Sequence, residues 1–202
     1  MTAFEYLAAF ISIVTGLGVA QTLSGVARLV NGRDTMRLDV THLCWTAGLL
    51  VWLVNFWWWS FSLTQVQVWR IGALFFVILY PAIIYFLLAL LHPRDIAADF
   101  DAQAHLESNR GWFFGGLFVL GVVELLDAWT KESSGLLEPA GLIGPTHWYP
   151  FFMVFWLVAS LVAMRSAHRH FNTVFVIAFL IGAIALALAN PPLEAWAPQA
   201  TG

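Results

Sequence analysis

The chain has 202 residues, of which 60% are hydrophobic and 10% are charged, and its mean hydropathy is +0.79. Soluble domains contain about 25% charged residues, so this composition excludes an ordinary soluble protein and indicates a membrane protein. The net charge is −3 and the basic residues are dispersed, which excludes a basic surface for nucleic acid. Cys44 is the only cysteine, so an intrachain disulfide and a multi-cysteine metal site are also excluded.

Six apolar runs are long enough to cross a membrane as helices, because a span needs about 20 residues. The predicted fold is therefore an all-α bundle of six transmembrane helices in one domain, residues 1–202. The predicted spans are 3–30, 42–63, 71–91, 112–129, 149–164 and 171–189. The first run begins with Glu5 and without Lys or Arg, so we expect it to remain in the mature protein and not to act as a signal peptide.

The connections between the spans differ in their basic residues. Those on one side hold seven arginines, whereas those on the other hold Arg70 and Lys131. The positive-inside rule places the arginine-rich connections in the cytoplasm, so both termini are predicted to lie outside. Between the third and fourth spans, Pro93 and the acidic residues after it predict a short amphipathic helix at the cytoplasmic interface. The expected location is the cell membrane, as for a small bacterial inner-membrane protein.

Small residues recur every four positions along the first span. We call four of them the small-residue seam: Ser12, Gly16, Ala20 and Ser24. Small side chains let helix backbones approach closely in a membrane, where lipid and helix surfaces are equally apolar. The seam therefore predicts helix packing, either inside the bundle or against another copy of the chain or another membrane protein.

The second span carries an aromatic stripe that includes Trp52, Asn55 and Trp59. Tryptophan is enriched at membrane interfaces, which accounts for many of the eleven in this chain. Most of them are predicted near the outer side, so a lipid or quinone packed on indole faces remains an alternative. The six histidines show no metal-ligand spacing, which speaks against haem and leaves the identity of any metal or cofactor open.

Two acids, Glu124 and Asp127, lie in the outer half of the fourth predicted span, in the stretch "GVVELLDAWTK". An acid at the centre of a bilayer costs about 2.5 to 3.5 kcal/mol, and less toward the interface. Asp127 has Lys131 four residues on, in the favourable order of acid before base. Glu124 has no such partner within its own helix, so its partners are expected at other outer helix ends. The candidates there are Glu5, Gln65, Arg70 and His147.

Two functions remain open at this level. The first is an outer polar site in the bundle that binds or conducts a proton, a cation or a small ligand. The second is a non-enzymatic accessory or oligomeric subunit of a larger membrane complex, which packs through the small-residue seam and the tryptophan-rich face and holds a lipid or quinone. Hydrolase, P-loop and dinucleotide motifs are absent from the sequence, which favours a protein that is not an enzyme without deciding the matter.

Overall fold

The computed structural model describes residues 3–32, 37, 39–65, 71–93, 100–133 and 148–189. Within these ranges the chain forms α-helices and one 3-10 helix, Ser60–Gln65, and no β-sheet, so the all-α prediction is confirmed. The α-helices are α1 (Ala3–Asn31), α2 (Val40–Trp59), α3 (Ile71–Leu91), α4 (Ala102–Ser108), α5 (Arg110–Ser133), α6 (Tyr149–Arg165) and α7 (Arg169–Ala189).

Five of the described helices are long and apolar enough to cross a membrane, namely α1, α2, α3, α5 and α7. Helix α6 also coincides with a predicted span, but it has 17 residues. At a rise of 1.5 Å per residue it is about 26 Å long, which is shorter than the roughly 30 Å of a bilayer's hydrocarbon core. A multi-pass membrane protein is therefore supported by helix length and composition, whereas a sixth crossing stays a prediction.

The connections that carry most of the arginines lie at one end of the bundle. There the Arg169 guanidinium lies 3.0 Å from the Asp39 carboxylate, and the Arg37 amide donates to the Phe100 carbonyl over 2.9 Å. Asp39 also accepts from the His42 amide and so caps the start of α2. We call this the basic end of the bundle. Its described arginines are Arg28, Arg37, Arg110, Arg165 and Arg169.

A short helix, α4, lies between α3 and α5, as predicted, but it begins later than Pro93. Asp101 provides its N-cap and accepts from the Ala104 amide over 3.0 Å. Residues 94–99, which include the expected first turn, lie outside the described residues. The position of α4 at a membrane interface stays a prediction.

The centre of the bundle is aromatic and lies among α2, α5, α6 and α7. The Trp52 ring packs edge-on against Trp156, with ring centroids 4.8 Å apart, and Trp52 is buried. Asn55 is also buried and donates to the Ala183 carbonyl of α7 over 2.9 Å. Only Trp59 of the predicted stripe is half-buried. Because Trp52 and Asn55 point into the bundle, a lipid or quinone cannot pack on them from outside.

Helix α1 uses a different face from the small-residue seam to pack on α2 and α3. A β-carbon at Gly18 would lie 2.6 Å from Cδ2 of Leu53, and one at Gly25 would overlap the His92 ring, so both glycines permit close approach. Gly16 of the seam is open instead: a β-carbon there would have no neighbour within 4 Å among the described residues. Ser12, another seam residue, accepts from Nε1 of Trp57 on α2 over 3.4 Å. Close packing along the whole seam, inside the bundle or against another chain, stays a prediction. The exposed seam residues are Ser12, Gly16, Ala20 and Ser24.

Candidate functional site

Glu124, on α5, accepts hydrogen bonds at both carboxylate oxygens from tyrosines of two other helices. The Tyr80 hydroxyl of α3 donates to Oε2, and the Tyr149 hydroxyl of α6 donates to Oε1 over 2.5 Å. Tyr80 accepts in turn from Nε1 of Trp52, on α2, over 2.8 Å. Four helices thus meet in one chain of hydrogen bonds. We call Trp52, Tyr80, Glu124 and Tyr149 the Glu124 centre.

The two tyrosines are held differently by their helices. Tyr80 is 2% exposed, stacks on Phe56 with ring centroids 4.5 Å apart, and is followed by Pro81 inside α3. Pro81 has no amide hydrogen, so one helical hydrogen bond is missing beside Tyr80. Tyr149 is the first residue of α6 and precedes Pro150, a favoured position for proline at a helix start. Tyr80 is therefore fixed within a helix, whereas Tyr149 stands at a helix end.

Asp127 lies three residues after Glu124 on the same helix and is half-buried. Lys131 lies in α5, but its side chain is outside the described residues, so the predicted pair of Asp127 with Lys131 stays a prediction. The two acids do share one region of the bundle, with Glu124 at its centre.

The other residues expected beside Glu124 are not shown there. Arg70, His147 and the side chain of Gln65 lie outside the described residues, and Glu5 is exposed in the first turn of α1. Sequence reasoning missed the partners that are present, Tyr80 and Tyr149. A signal was available for the first of these, since a tyrosine in the middle of an apolar span needs an acceptor for its hydroxyl.

The hydrogen-bond directions define what the Glu124 centre can do chemically. A carboxylate accepts at both oxygens, whereas a protonated carboxyl group must donate from one of them. Since both tyrosines donate to Glu124, an added proton either points away from the two hydroxyls or is donated to one of them, which then accepts it. Tyr80 already accepts from Trp52, and the described partner of the Tyr149 hydroxyl is Glu124. Because a hydroxyl can accept two hydrogen bonds, Tyr80 has one acceptor position left and Tyr149 has two, so Tyr149 is the less constrained acceptor for that proton.

A second polar cluster lies at the basic end, where α3 finishes. The last carbonyls of a helix have no partner within it, and here side chains of α1, α2 and α4 supply donors. We call this cluster the α3 cap. In each hydrogen bond a side-chain nitrogen donates to a backbone carbonyl oxygen. The pairs are His105 with Leu90 over 2.8 Å, His42 with Leu91 over 2.8 Å, Gln21 with His92 over 3.0 Å, and Arg28 with Pro93 over 3.5 Å.

His92 follows α3 and lies buried inside the α3 cap. Its ring contacts the His42 ring edge-to-face with centroids 5.1 Å apart, and its Nε2 lies 3.1 Å from the Thr46 hydroxyl oxygen. Thr46 already donates its hydrogen to the His42 carbonyl, so His92 Nε2 must be the donor and carry a hydrogen. Burial lowers the pKa of His92 to about 4, and the nearby charges of His42 and Arg28 act in the same direction.

The described residues therefore contain two built polar centres, one around Glu124 and one at the end of α3. Among these residues, no group of three or more His, Cys, Asp or Glu side chains is placed to hold a metal ion. In comparisons with known proteins, no family model, curated protein or solved structure matches the chain.

Proposed function

We propose that the chain is a multi-pass membrane protein that binds a proton at the Glu124 centre. The observation that carries the proposal is the pair of tyrosine hydroxyls, from α3 and α6, that donate to the two oxygens of one carboxylate in an apolar bundle. Proton binding at Glu124 removes the negative charge that the Tyr149 hydroxyl donates to, and so changes how strongly α6 is held at its first residue.

The choice of an acid supports a working site over a purely structural contact. Retaining a carboxyl group within an apolar span costs up to about 2.5 to 3.5 kcal/mol. A structural contact between the helices needs only a polar side chain of similar size, and glutamine meets that need while having no group to titrate. Glu124 is also half-buried, as is Asp127, so neither is sealed inside the aromatic core.

The proposed orientation follows from the basic end. By the positive-inside rule this end faces the cytoplasm, so Glu124 lies toward the outer side of a cell membrane, in our proposal a bacterial inner membrane. Cysteine labelling in a Cys44→Ser background tests this orientation. A membrane-impermeant reagent added outside should modify a cysteine at Ser134 and spare one at Asn109, whereas the reverse pattern would place Glu124 toward the cytoplasm.

The direct test of proton binding is infrared spectroscopy of the purified protein as the pH is changed. A protonated carboxyl group has a carbonyl stretching band that a carboxylate lacks, so acidification should produce this band in the parent protein. This band should be weaker or absent in Glu124→Gln, because the carboxyl group of Glu124 is missing. The control variant Asp127→Asn should retain the band. Tyr149→Phe should shift the pH at which the band appears, because one donor to the carboxylate is lost.

The proposal fails if the parent shows no carboxyl protonation between roughly pH 5 and pH 9, the range that surrounds the physiological one. It also fails if the spectrum of Glu124→Gln changes with pH in the same way as that of the parent. In either case the Glu124 centre is a structural lock between α3, α5 and α6.

A second candidate function, an accessory or oligomeric subunit, is favoured by the exposed small-residue seam on α1. The exposed part of the seam around Gly16 is suited to close contact with another membrane helix. Light scattering of the purified protein tests self-association. Gly16→Leu should reduce the assembled mass, whereas Leu17→Ile, at an exposed neighbouring position, should not. Equal masses for the parent and both variants would contradict a contact between copies through Gly16.

A further inference from the structure

The last two turns of α6 and the connection to α7 form an open groove at the basic end. Its volume is about 680 Å³. The groove is lined by Val158, Leu161, Val162, Arg165, Ser166, Ala167 and His168. It lies away from the Glu124 centre, and neither that centre nor the α3 cap uses its residues.

The lining is ordered along the helix axis from apolar to basic. Val158, Leu161, Val162 and Arg165 follow the spacing of one helix face. The apolar side chains are open to the surroundings, with Val158 55% exposed and Leu161 40% exposed. Arg165 lies about 10 Å further along α6 than Val158. A ligand that fits this order has an apolar chain at one end and a negative charge at the other.

The basic part of the groove has donors available for an anion. Arg165 is exposed, and the structure shows no acceptor for its guanidinium among the described residues. Arg169, the first residue of α7, differs because it is already paired with Asp39 over 3.0 Å. Next to Arg165, the Ser166 hydroxyl accepts from the His168 amide over 3.4 Å and keeps its own hydrogen to donate.

We propose that this groove binds an anionic phospholipid. The phosphate lies against Arg165, with Ser166 and His168 as further donors, and an acyl chain lies along Val158, Leu161 and Val162. Charge complementarity selects the anionic headgroup, because a zwitterionic lipid brings a cation toward Arg165. The apolar wall selects a lipid over free phosphate, because inorganic phosphate has no apolar part to bury there.

Native mass spectrometry of the full-length protein in detergent tests the proposal. The probes are phosphatidylglycerol, phosphatidylcholine with the same acyl chains, and inorganic phosphate. We expect phosphatidylglycerol to bind more tightly than phosphatidylcholine. Arg165→Gln should weaken the binding of phosphatidylglycerol about fivefold, the factor that corresponds to roughly 1 kcal/mol for one basic residue near an anionic lipid.

Two control variants locate the site. Arg110→Gln removes an equal charge at the start of α5, at the same end of the bundle, and should leave phosphatidylglycerol binding unchanged. Val162→Asn changes the apolar wall and should also weaken phosphatidylglycerol binding, while leaving any phosphate binding as it was. All variants should keep the helical circular dichroism spectrum of the parent, because the altered side chains are exposed or half-buried.

Several outcomes would overturn the assignment. Equal binding of the two phospholipids would mean that the headgroup charge is not recognised. Equal weakening by Arg165→Gln and Arg110→Gln would reduce the effect to the general charge of the basic end. Displacement of phosphatidylglycerol by millimolar inorganic phosphate in the Val162→Asn variant and the parent alike would point to an anion site without a lipid chain.

Discussion

Acidification should destabilise the α3 cap through His92, and the size of the effect follows from its pKa. Burial lowers the pKa of His92 from 6.5 to about 4 in the folded protein. Since the folded-state pKa is depressed, the neutral ring contributes stability above pH 6.5 that is lost as the pH falls toward 4. The loss is about 2 kcal/mol at roughly pH 5 and about 3 kcal/mol once both states are protonated.

The assay is reversible unfolding in mixed detergent micelles, followed by circular dichroism at neutral pH and at roughly pH 5. Between these conditions His92 should account for a loss of about 2 kcal/mol in the unfolding free energy of the parent. His92→Gln should be less stable than the parent at neutral pH, because the ring that packs on Gly25 is gone. Its stability should nevertheless change much less with pH. His170→Gln, at an exposed position of α7, is the control and should retain the parent's pH dependence.

The reasoning is refuted if His92→Gln and the parent lose the same free energy on acidification. It is also refuted if the parent becomes more stable as the pH falls from 6.5, since that would require His92 to gain a partner for its charged form. If the same unfolding assay is applied to Glu124→Gln, the change in its unfolding free energy with pH must be compared with that of the parent. The reason is that His92 contributes to the pH dependence of both proteins.

Three further predictions follow from the described contacts. Gly25→Ala should destabilise the protein because the new methyl group overlaps a buried ring, whereas Gly111→Ala, with no neighbour within 4 Å, should be neutral or stabilising by up to about 1 kcal/mol in thermal unfolding. Asp39→Asn should lower the unfolding free energy by about 1 kcal/mol in low salt and by less in high salt, because it removes an ion pair while keeping a capping side chain. Trp52→Phe should cost at least about 1 kcal/mol in the same assay because it removes the donor to Tyr80.

The positions of the helices were predictable from the sequence because hydropathy measures a property of single segments. The predicted span 71–91 coincides with α3, and the predicted spans 149–164 and 171–189 differ from α6 and α7 by no more than a few residues at their ends. Pro81 did not end α3, which agrees with the tolerance of proline in helices of membrane proteins, where neighbouring helices satisfy the freed backbone groups.

The faces of the helices were not predictable in the same way. In a soluble protein the polar face of a helix marks its exposed side, but here lipid and bundle interior are both apolar. The small-residue seam on α1 therefore gave no indication that Gly18 and Gly25 make the close contacts while Gly16 faces outward. Trp52 raised the same difficulty, because an indole suits an interface and a buried core equally well.

Only the acidic residues of the candidate site were predictable from the sequence. Glu124 stood out because a carboxyl group in an apolar span needs a compensating partner. Its partners come from helices that are distant in sequence: Tyr80 is 44 residues away and Tyr149 is 25 residues away. Their pairing with Glu124 depends on how α3, α5 and α6 are arranged, which one sequence without structure does not specify.

Helix α3 contributes Tyr80 to the Glu124 centre and ends at the α3 cap. A final prediction is that the two clusters contribute independently to the stability of the protein. Tyr80 and His92 are about 18 Å apart along the helix axis. Sites separated by more than about 10 Å without shared partners usually have additive effects on stability, within about 0.5 kcal/mol. A double-mutant cycle of Glu124→Gln and His92→Gln should therefore be additive in unfolding free energy at neutral pH. A coupling of more than about 1 kcal/mol would contradict this independence and would mean that α3 transmits the protonation state of Glu124 to the basic end.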